Sequence, residues 1–263
     1  MRILITGVGA VSALGVGVEA LSEALEAGQS GVVAHPGSAE HGLAPCAIAP
    51  VTQPLAAGMP PAQRNLHDRH SLLALEACAQ AWTQAGLPER AREPDRAAVA
   101  WGTGLGGSTS MEASYQQMFT ARPPRIHPYT VVRVMANSAA SHLSMKYQLR
   151  AAQLAVSNAC ASSAQAMGEA LWLLRTGRAD VALVGGSPVP DQCLLQIPCD
   201  AASLRMQTGQ RTLRGGHALL GEDVVNRDGP LELLVCTRTR ADACAEVDEL
   251  RCRRHVDHWT PAD

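Results

Sequence analysis

The stretch from Leu154 to Ser187 reads LAVSNACASSAQAMGEALWLLRTGRADVALVGGS, and it holds one cysteine, Cys160, between an apolar run and a helical pattern. A thiol at a strand-to-helix junction can act as a nucleophile. Backbone N–H groups at a helix start lack partners within the helix, and together with the positive end of the helix dipole they favour an anion such as a thiolate. The same N–H groups can hold a carbonyl oxygen as it becomes an oxyanion. Ala159, Ala161, Ser162 and Ser163 are small and leave space for a thioester to reach the sulfur. A free cysteine is also a common buried apolar filler, so the pattern by itself supports a structural cysteine in a tight turn equally.

Other candidate patterns are less complete. ITGVGAVS carries Gly7-x-Gly9 after an apolar run, as a dinucleotide-binding turn would, but Ser12 stands at the third glycine position, with Glu26 near the place of a ribose-binding acid. The alternative is a plain glycine turn between strand and helix. GTGLGGS, Gly102–Ser108, lacks the lysine of a phosphate loop. His67 and His70 are three apart, as are His255 and His258, but no further ligand lies near either pair, so surface histidines are expected. Cys236, Cys244 and Cys252 are regularly spaced, yet the chain has no CxxC. No metal and no cofactor is expected.

The elements that must position Cys160 follow from periodicity. RILIT reads as a strand, VEALSEALEAG as a helix stopped by Gly28, and His35 to Pro61 as a long loop with short strands. HSLLALEACAQAWTQAGLP is a helix stopped by Gly86 and Pro88; AAVAWGTG is a strand entering a glycine-rich loop; ANSAASHLSMKYQL is a helix of small residues. QLAVS, ASSAQAMGEALWLLRTG and ADVALVGGS then read strand, helix, strand, which is a βαβ unit and implies a parallel sheet covered on both faces.

Bulk composition fits such layers. Of the 263 residues, 46% are apolar but only 3% aromatic, so the core is built from Ala, Val, Leu and Ile. A net charge of −2 gives no electrostatic case for nucleic acid. No basic, compact apolar leader and no run of membrane-span length is present, so a cytoplasmic protein with reduced thiols is expected.

ITGVGAVSALG, RNLHDRHSLLAL, GTGLGG, HPYTVVRVMANSAASHLSMKYQLR with Asn137, and VSNACASSAQAMGEALWLLRTGRADVALVGG occur in that order between Arg2 and Ser187. As a set they resemble the condensing enzymes of the thiolase superfamily, specifically the elongating β-ketoacyl-acyl-carrier-protein synthases. The resemblance implies a thiolase-like layered α/β fold, its N-terminal half over residues 1–190, with a mainly parallel sheet and a buried nucleophile helix. It makes Cys160 the acyl-accepting nucleophile with its own N–H in the oxyanion hole, and Leu105 a residue lining the acyl pocket. It places Arg64 and Arg69 where basic residues could meet an acidic carrier protein. The implied reaction is acyltransfer to Cys160 followed by condensation with a malonyl-carrier thioester, in fatty-acid or polyketide elongation. Implied partners are an acyl carrier protein carrying acyl and malonyl groups, and a homodimer mate or partner synthase subunit. The weight on dinucleotide binding falls accordingly.

The departures are equally specific. The family draws two histidines, one in an HGTGT-like motif, a lysine and a Gly-Phe-Gly loop from its C-terminal half. This chain has no HGTGT, its one lysine is Lys146, and His217, His255 and His258 do not match. Residues 191–263 hold five of the eight cysteines and nine arginines, so they are read as an atypical tail with no domain assigned; a frameshift near Pro190 in a GC-rich gene would give such a composition. Condensation is expected to be impaired, with slow self-acylation at Cys160 retained. The alternatives are a non-catalytic partner subunit, which the presence of Cys160 opposes, a nonfunctional truncated product exposing apolar surface, and a superfamily reaction on coenzyme A esters.

Overall fold

The computed structural model describes residues 2–35, 46–187 and 231–239. Strand β1 (Arg2–Ser12) turns into the short β2 (Gly15–Val16) and helix α1 (Val18–Glu26); β3 (Val33–His35) and β4 (Cys46–Ile48) pair as a separate two-stranded sheet. Helices α2 (Pro61–Arg64) and α3 (Arg69–Gln84) lead to β5 (Ala97–Thr103), and α4 (Ser108–Thr120), α5 (Thr130–Val134) and α6 (Ser138–Tyr147) lead to β6 (Ala152–Val156). Helix α7 (Ser162–Arg175), β7 (Val181–Ser187) and β8 (Leu231–Thr239) complete the described elements.

The main sheet has the order β2-β1-β8-β7-β5-β6. β5 pairs in parallel with both β6 and β7, while β8 runs antiparallel to β1 and to β7, so β1, β5, β6 and β7 all point one way. The expected α/β sheet is thus present, parallel over β7, β5 and β6, with α3 and α6 on one face and α7 on the other. Alternation along β5 divides the core. Ala97, Val99 and Trp101 face α3 and α6 beside Leu73, Trp82, Leu143 and Leu183; Ala98 and Ala100 face α7 beside Ala166, Ala170, Ala182 and Val184. At the start of the parallel strands, Arg96 donates twice to Asp180, at 2.9 and 2.8 Å, and the Asp180 N–H returns a bond to the Arg96 carbonyl at 2.8 Å.

One expectation is corrected. Gly7 and Gly9 lie inside β1, not in a turn after it, because α3 crosses that strand directly: a Cβ on Gly7 would sit 2.0 Å from the Ala81 carbonyl oxygen, and one on Gly9 2.1 Å from that of Ala77. The glycines serve helix-on-strand packing, which accounts for the incomplete dinucleotide pattern. Helices α4 and α5 were not legible because their apolar residues make no core stripe; Ser110 is the one buried residue of α4. The tail, read as atypical with no domain assigned, contributes β8, which fills the place between β1 and β7. The frameshift expectation otherwise falls on residues outside those described. Among the described residues no helix is long and apolar enough to cross a membrane.

Candidate thiol site

β6 ends at Val156, and after Ser157 and Asn158 the chain makes a single 3-10 turn, Ala159–Ala161, before α7 begins. Ala159 has φ of 46°, a left-handed conformation that costs a residue with a Cβ about 1–2 kcal/mol. Buried Ser162 holds this turn: its Oγ accepts from the Asn158 N–H at 2.8 Å and donates to the Ala159 carbonyl at 2.7 Å, with the Thr103 carbonyl at 3.3 Å. Ser157 donates to the Gly104 carbonyl at 3.1 Å, and the Asn158 amide donates to Gln165 at 3.1 Å. Cys160 sits at the middle of this braced turn, and it is exposed. That exposure removes the reading of Cys160 as buried filler, a role that fully buried Cys78 does fill, its thiol pushed well up by burial.

Two strand glycines seat the turn. Gly102 of β5 and Gly186 of β7 are register partners on the α7 face. A Cβ at Gly102 would lie 2.4 Å from the Ser162 carbonyl carbon, and one at Gly186 1.9 Å from the Ser163 Oγ. The first turn of α7 therefore rests on bare strand backbone, and Cys160 is placed at the C-terminal end of the parallel strands. Leu105 stands in the loop after β5, next to the carbonyl that Ser157 binds, and its side chain is 55% exposed. The structure thus brings Leu105 and Cys160 onto adjoining loops.

The other candidates are placed elsewhere. Arg64 donates to the Ala56 and Met59 carbonyls at 3.1 and 3.2 Å, and Arg69 donates to that of Val51, so both guanidinium groups brace the 51–60 loop. His70 is not a surface residue but fully buried: its Nδ1 is 3.0 Å from Asp68 Oδ1 and its Nε2 2.9 Å from Ser138 Oγ. His67 packs edge-on against His142 with ring centroids 4.0 Å apart. Burial, with the charges of His67 and His70 behind it, lowers the His142 pKa to about 4. No group of three metal-ligating residues occurs among the described residues; Cys244, Cys252, His255 and His258 lie outside them.

Sequence reasoning missed the Asp68–His70–Ser138 chain. Its signal was HDRH at the start of a helix, where aspartate is a preferred N-cap. The arrangement has the connectivity of a Ser-His-Asp relay, but Asp68, His70 and Ser138 are at most 3% exposed, so no substrate reaches the hydroxyl. Burial raises the Asp68 carboxyl, but hydrogen bonds from His70 and Ser110 outweigh it and leave the pKa below its ordinary value.

The fold and site define one class: a layered α/β chain that presents a thiol on a strained turn between a parallel strand and a helix. Residues 1–210 match the family described as Beta-ketoacyl synthase, N-terminal domain, and the chain belongs to that family. Nodulation protein E of Rhizobium sp. (strain N33) is 33% identical over 189 residues, covering 72% of this chain and 47% of that protein. The 3-oxoacyl-[acyl-carrier-protein] synthase 2 of Coxiella burnetii (strain RSA 493 / Nine Mile phase I) is 29% identical over 188 residues, covering 71% and 45%. A ketosynthase solved in complex with its chain length factor, from Xenorhabdus doucetiae, superposes with a TM-score of 0.63 at 24% identity, covering 90% of this chain and 58% of that one. The chain spans about half the length of the curated relatives it matches.

Proposed function

We propose that this chain is an acyltransferase of the condensing type, working in fatty-acid or polyketide elongation, with Cys160 as the acyl acceptor. The observation that supports the reading is the exposed thiol on the Ala159 turn, braced by Ser162. In the first step the Cys160 sulfur attacks the carbonyl carbon of a carrier-bound thioester. A new carbon–sulfur bond forms, the oxyanion rests on the Cys160 N–H, and the carrier thiol leaves with the proton. The acyl chain then lies along Leu105. In the second step a malonyl-carrier thioester loses carbon dioxide, and its carbanion forms a carbon–carbon bond to the acyl carbon as the Cys160 thiolate departs.

Acyl carrier protein is the proposed donor, and a second condensing-fold chain, a like copy or a partner synthase subunit, is the proposed mate. β6 is an edge strand of the described sheet, and Phe119, Val131 and Val132 of α4 and α5 are exposed; each feature supports contact with such a mate. The test is to incubate the full chain and Cys160→Ala with an acyl-carrier thioester and read intact mass. An adduct on the parent chain alone supports the reading; a folded, soluble parent chain that stays unmodified sinks it.

A further inference from the structure

Both ends of the support for the Leu105 loop run to one carboxylate. Asp68 is the N-cap of α3, where Oδ1 accepts from the His70 N–H at 3.1 Å and lies 3.0 Å from His70 Nδ1. Its other oxygen, Oδ2, accepts from the Ser110 N–H at 2.8 Å, in the first turn of α4. Through His70 the same carboxylate reaches Ser138, the first residue of α6; with Nδ1 donating to Asp68, Nε2 accepts from the Ser138 hydroxyl. Ser138 in turn lies 3.0 Å from Ser71 Oγ. The starts of α3 and α4 thus meet at one buried anion, where their helix dipoles favour negative charge, and the start of α6 joins it through His70.

The loop between β5 and α4 hangs on these anchors. The Gly107 N–H donates to the Val134 carbonyl at 3.2 Å, just before α6; the Gly106 N–H donates to Thr103 Oγ1 at 3.2 Å; the Gly104 carbonyl accepts from Ser157 beside the Cys160 turn. Moving the start of α4 or of α6 moves the loop that carries Leu105 relative to the thiol.

We propose that Asp68 is a positioning residue which, by tying the starts of α4 and α6 together, fixes the Leu105 loop against the adjoining Cys160 turn and so sets which acyl chains the thiol accepts. The inference rests on the acyl-transfer reading above. It also explains the residue type. Donors approach both oxygens of Asp68, so Asn would turn an amide N–H toward one of them, and Ser can cap α3 but cannot also reach the Ser110 N–H.

The experiment uses the full chain as parent, Asp68→Ser, Asp68→Asn and Ser138→Ala. Each is acylated separately with butyryl- and dodecanoyl-carrier thioesters, and the rates are read by intact mass; iodoacetamide labelling of Cys160 and thermal midpoints are recorded alongside. Displacing a positioned group by about 1 Å can cost around a hundredfold in rate, so Asp68→Ser is expected to change the butyryl-to-dodecanoyl rate ratio by about tenfold or more. Iodoacetamide labelling, which needs no pocket, should hold within about twofold. Asp68→Asn, which keeps one acceptor, should move the ratio less, and Ser138→Ala should move it in the same direction while preserving the α3 cap. An unchanged ratio in both Asp68→Ser and Ser138→Ala, with lowered thermal midpoints, overturns the inference and leaves Asp68 a helix cap. A parent chain that iodoacetamide labels but neither thioester acylates overturns the acyl-transfer reading itself, and the selectivity claim with it.

Discussion

The two faces of the main sheet are built on opposite plans. The face under α3 and α6 is filled by large side chains, among them Trp82 stacked on Tyr147 at 4.4 Å and Trp101 with its Nε1 on Ser187 at 2.9 Å. The face under α7 is lined by small register pairs that end in bare glycine at the thiol: Ala98 with Ala182, Ala100 with Val184, then Gly102 with Gly186. Large residues give the first face most of the buried apolar area and hence most of the hydrophobic stabilisation. The second face gives up area so that a helix start can sit against strand backbone. Stability and site geometry are therefore separable by face.

Substitution on the large face should test this most severely. Trp82→Ala removes a 4% exposed side chain and is expected to cost about 3–5 kcal/mol, a large part of the stability of a domain. Denaturant titration would show it. Iodoacetamide labelling of Cys160 in the remaining folded protein should stay within about twofold, because the two sites share no contact; a larger drop would mean that the faces are coupled.

On the small face, effects should concentrate on the thiol. Gly102→Ala puts a Cβ 2.4 Å from the Ser162 carbonyl carbon and 2.5 Å from its oxygen and from the Ser163 N, all of them backbone atoms. Helix α7 has to lift, at a cost of about 3 kcal/mol, and acylation should fall around a hundredfold. Gly186→Ala meets chiefly a side chain, Ser163 Oγ at 1.9 Å and Cβ at 2.9 Å, with the Gly102 carbonyl oxygen at 3.0 Å. A cost of about 1–3 kcal/mol is expected there, and adding Ser163→Ala should restore part of it, because the nearer atom is gone while the Cβ contact remains. A Gly186→Ala variant as damaged as Gly102→Ala would show that Ser163 has no freedom to move.

The large face also carries the titration that matters near neutral pH. His142 is held neutral by burial, with a pKa of about 4, and His67 is lowered in the same way. In the unfolded chain both take a proton near pH 6.5. The unfolded state therefore binds more protons as pH falls from about 6.5 to about 4, and stability should decline through that window. Asp68 works in a different range: its contribution is present above the ordinary carboxylate pKa and is lost as pH falls through the lowered one. Midpoints measured against pH should show the upper slope shrink in His142→Gln while the acid limb persists.

What was legible in the sequence follows the same division. The strands and helices around Cys160 were readable because β5, α3, α7 and β7 carry apolar runs of regular period between glycine and proline stops, and the thiol stood out because small residues surround it. Close approach was not readable. Gly7 and Gly9 have the spacing of a phosphate turn, and only the passage of α3 over β1 shows their purpose. HDRH gave no sign that His70 is buried, since Ser138, the partner that closes over its Nε2, lies 68 residues further along the chain. β8 was obscured by the arginines and cysteines around it, although LELLVCTRT has the composition of a strand.

A change that belongs to neither face gives the smallest effect and a useful control. Arg96 and Asp180 form a two-bond ion pair, yet their side chains are 36% and 35% exposed, so solvent screens the attraction. Exposed pairs contribute about 0–1 kcal/mol, and the bidentate geometry places this one toward the upper end. Arg96→Ala keeps the backbone bond from the Asp180 N–H to the Arg96 carbonyl, so the register of β5 against β7 survives. The pair also lies at the start of the strands, whereas Gly102, Gly186 and Cys160 lie at their far end. A thermal midpoint lowered by a few degrees at most, lowered less in high salt, with acylation unchanged, is the expected result. If Arg96→Ala slowed acylation as much as Gly186→Ala did, the placement of the thiol would depend on strand register along the whole length of β5 and β7, and bare backbone at Gly102 and Gly186 would not be a sufficient account of how the turn is seated.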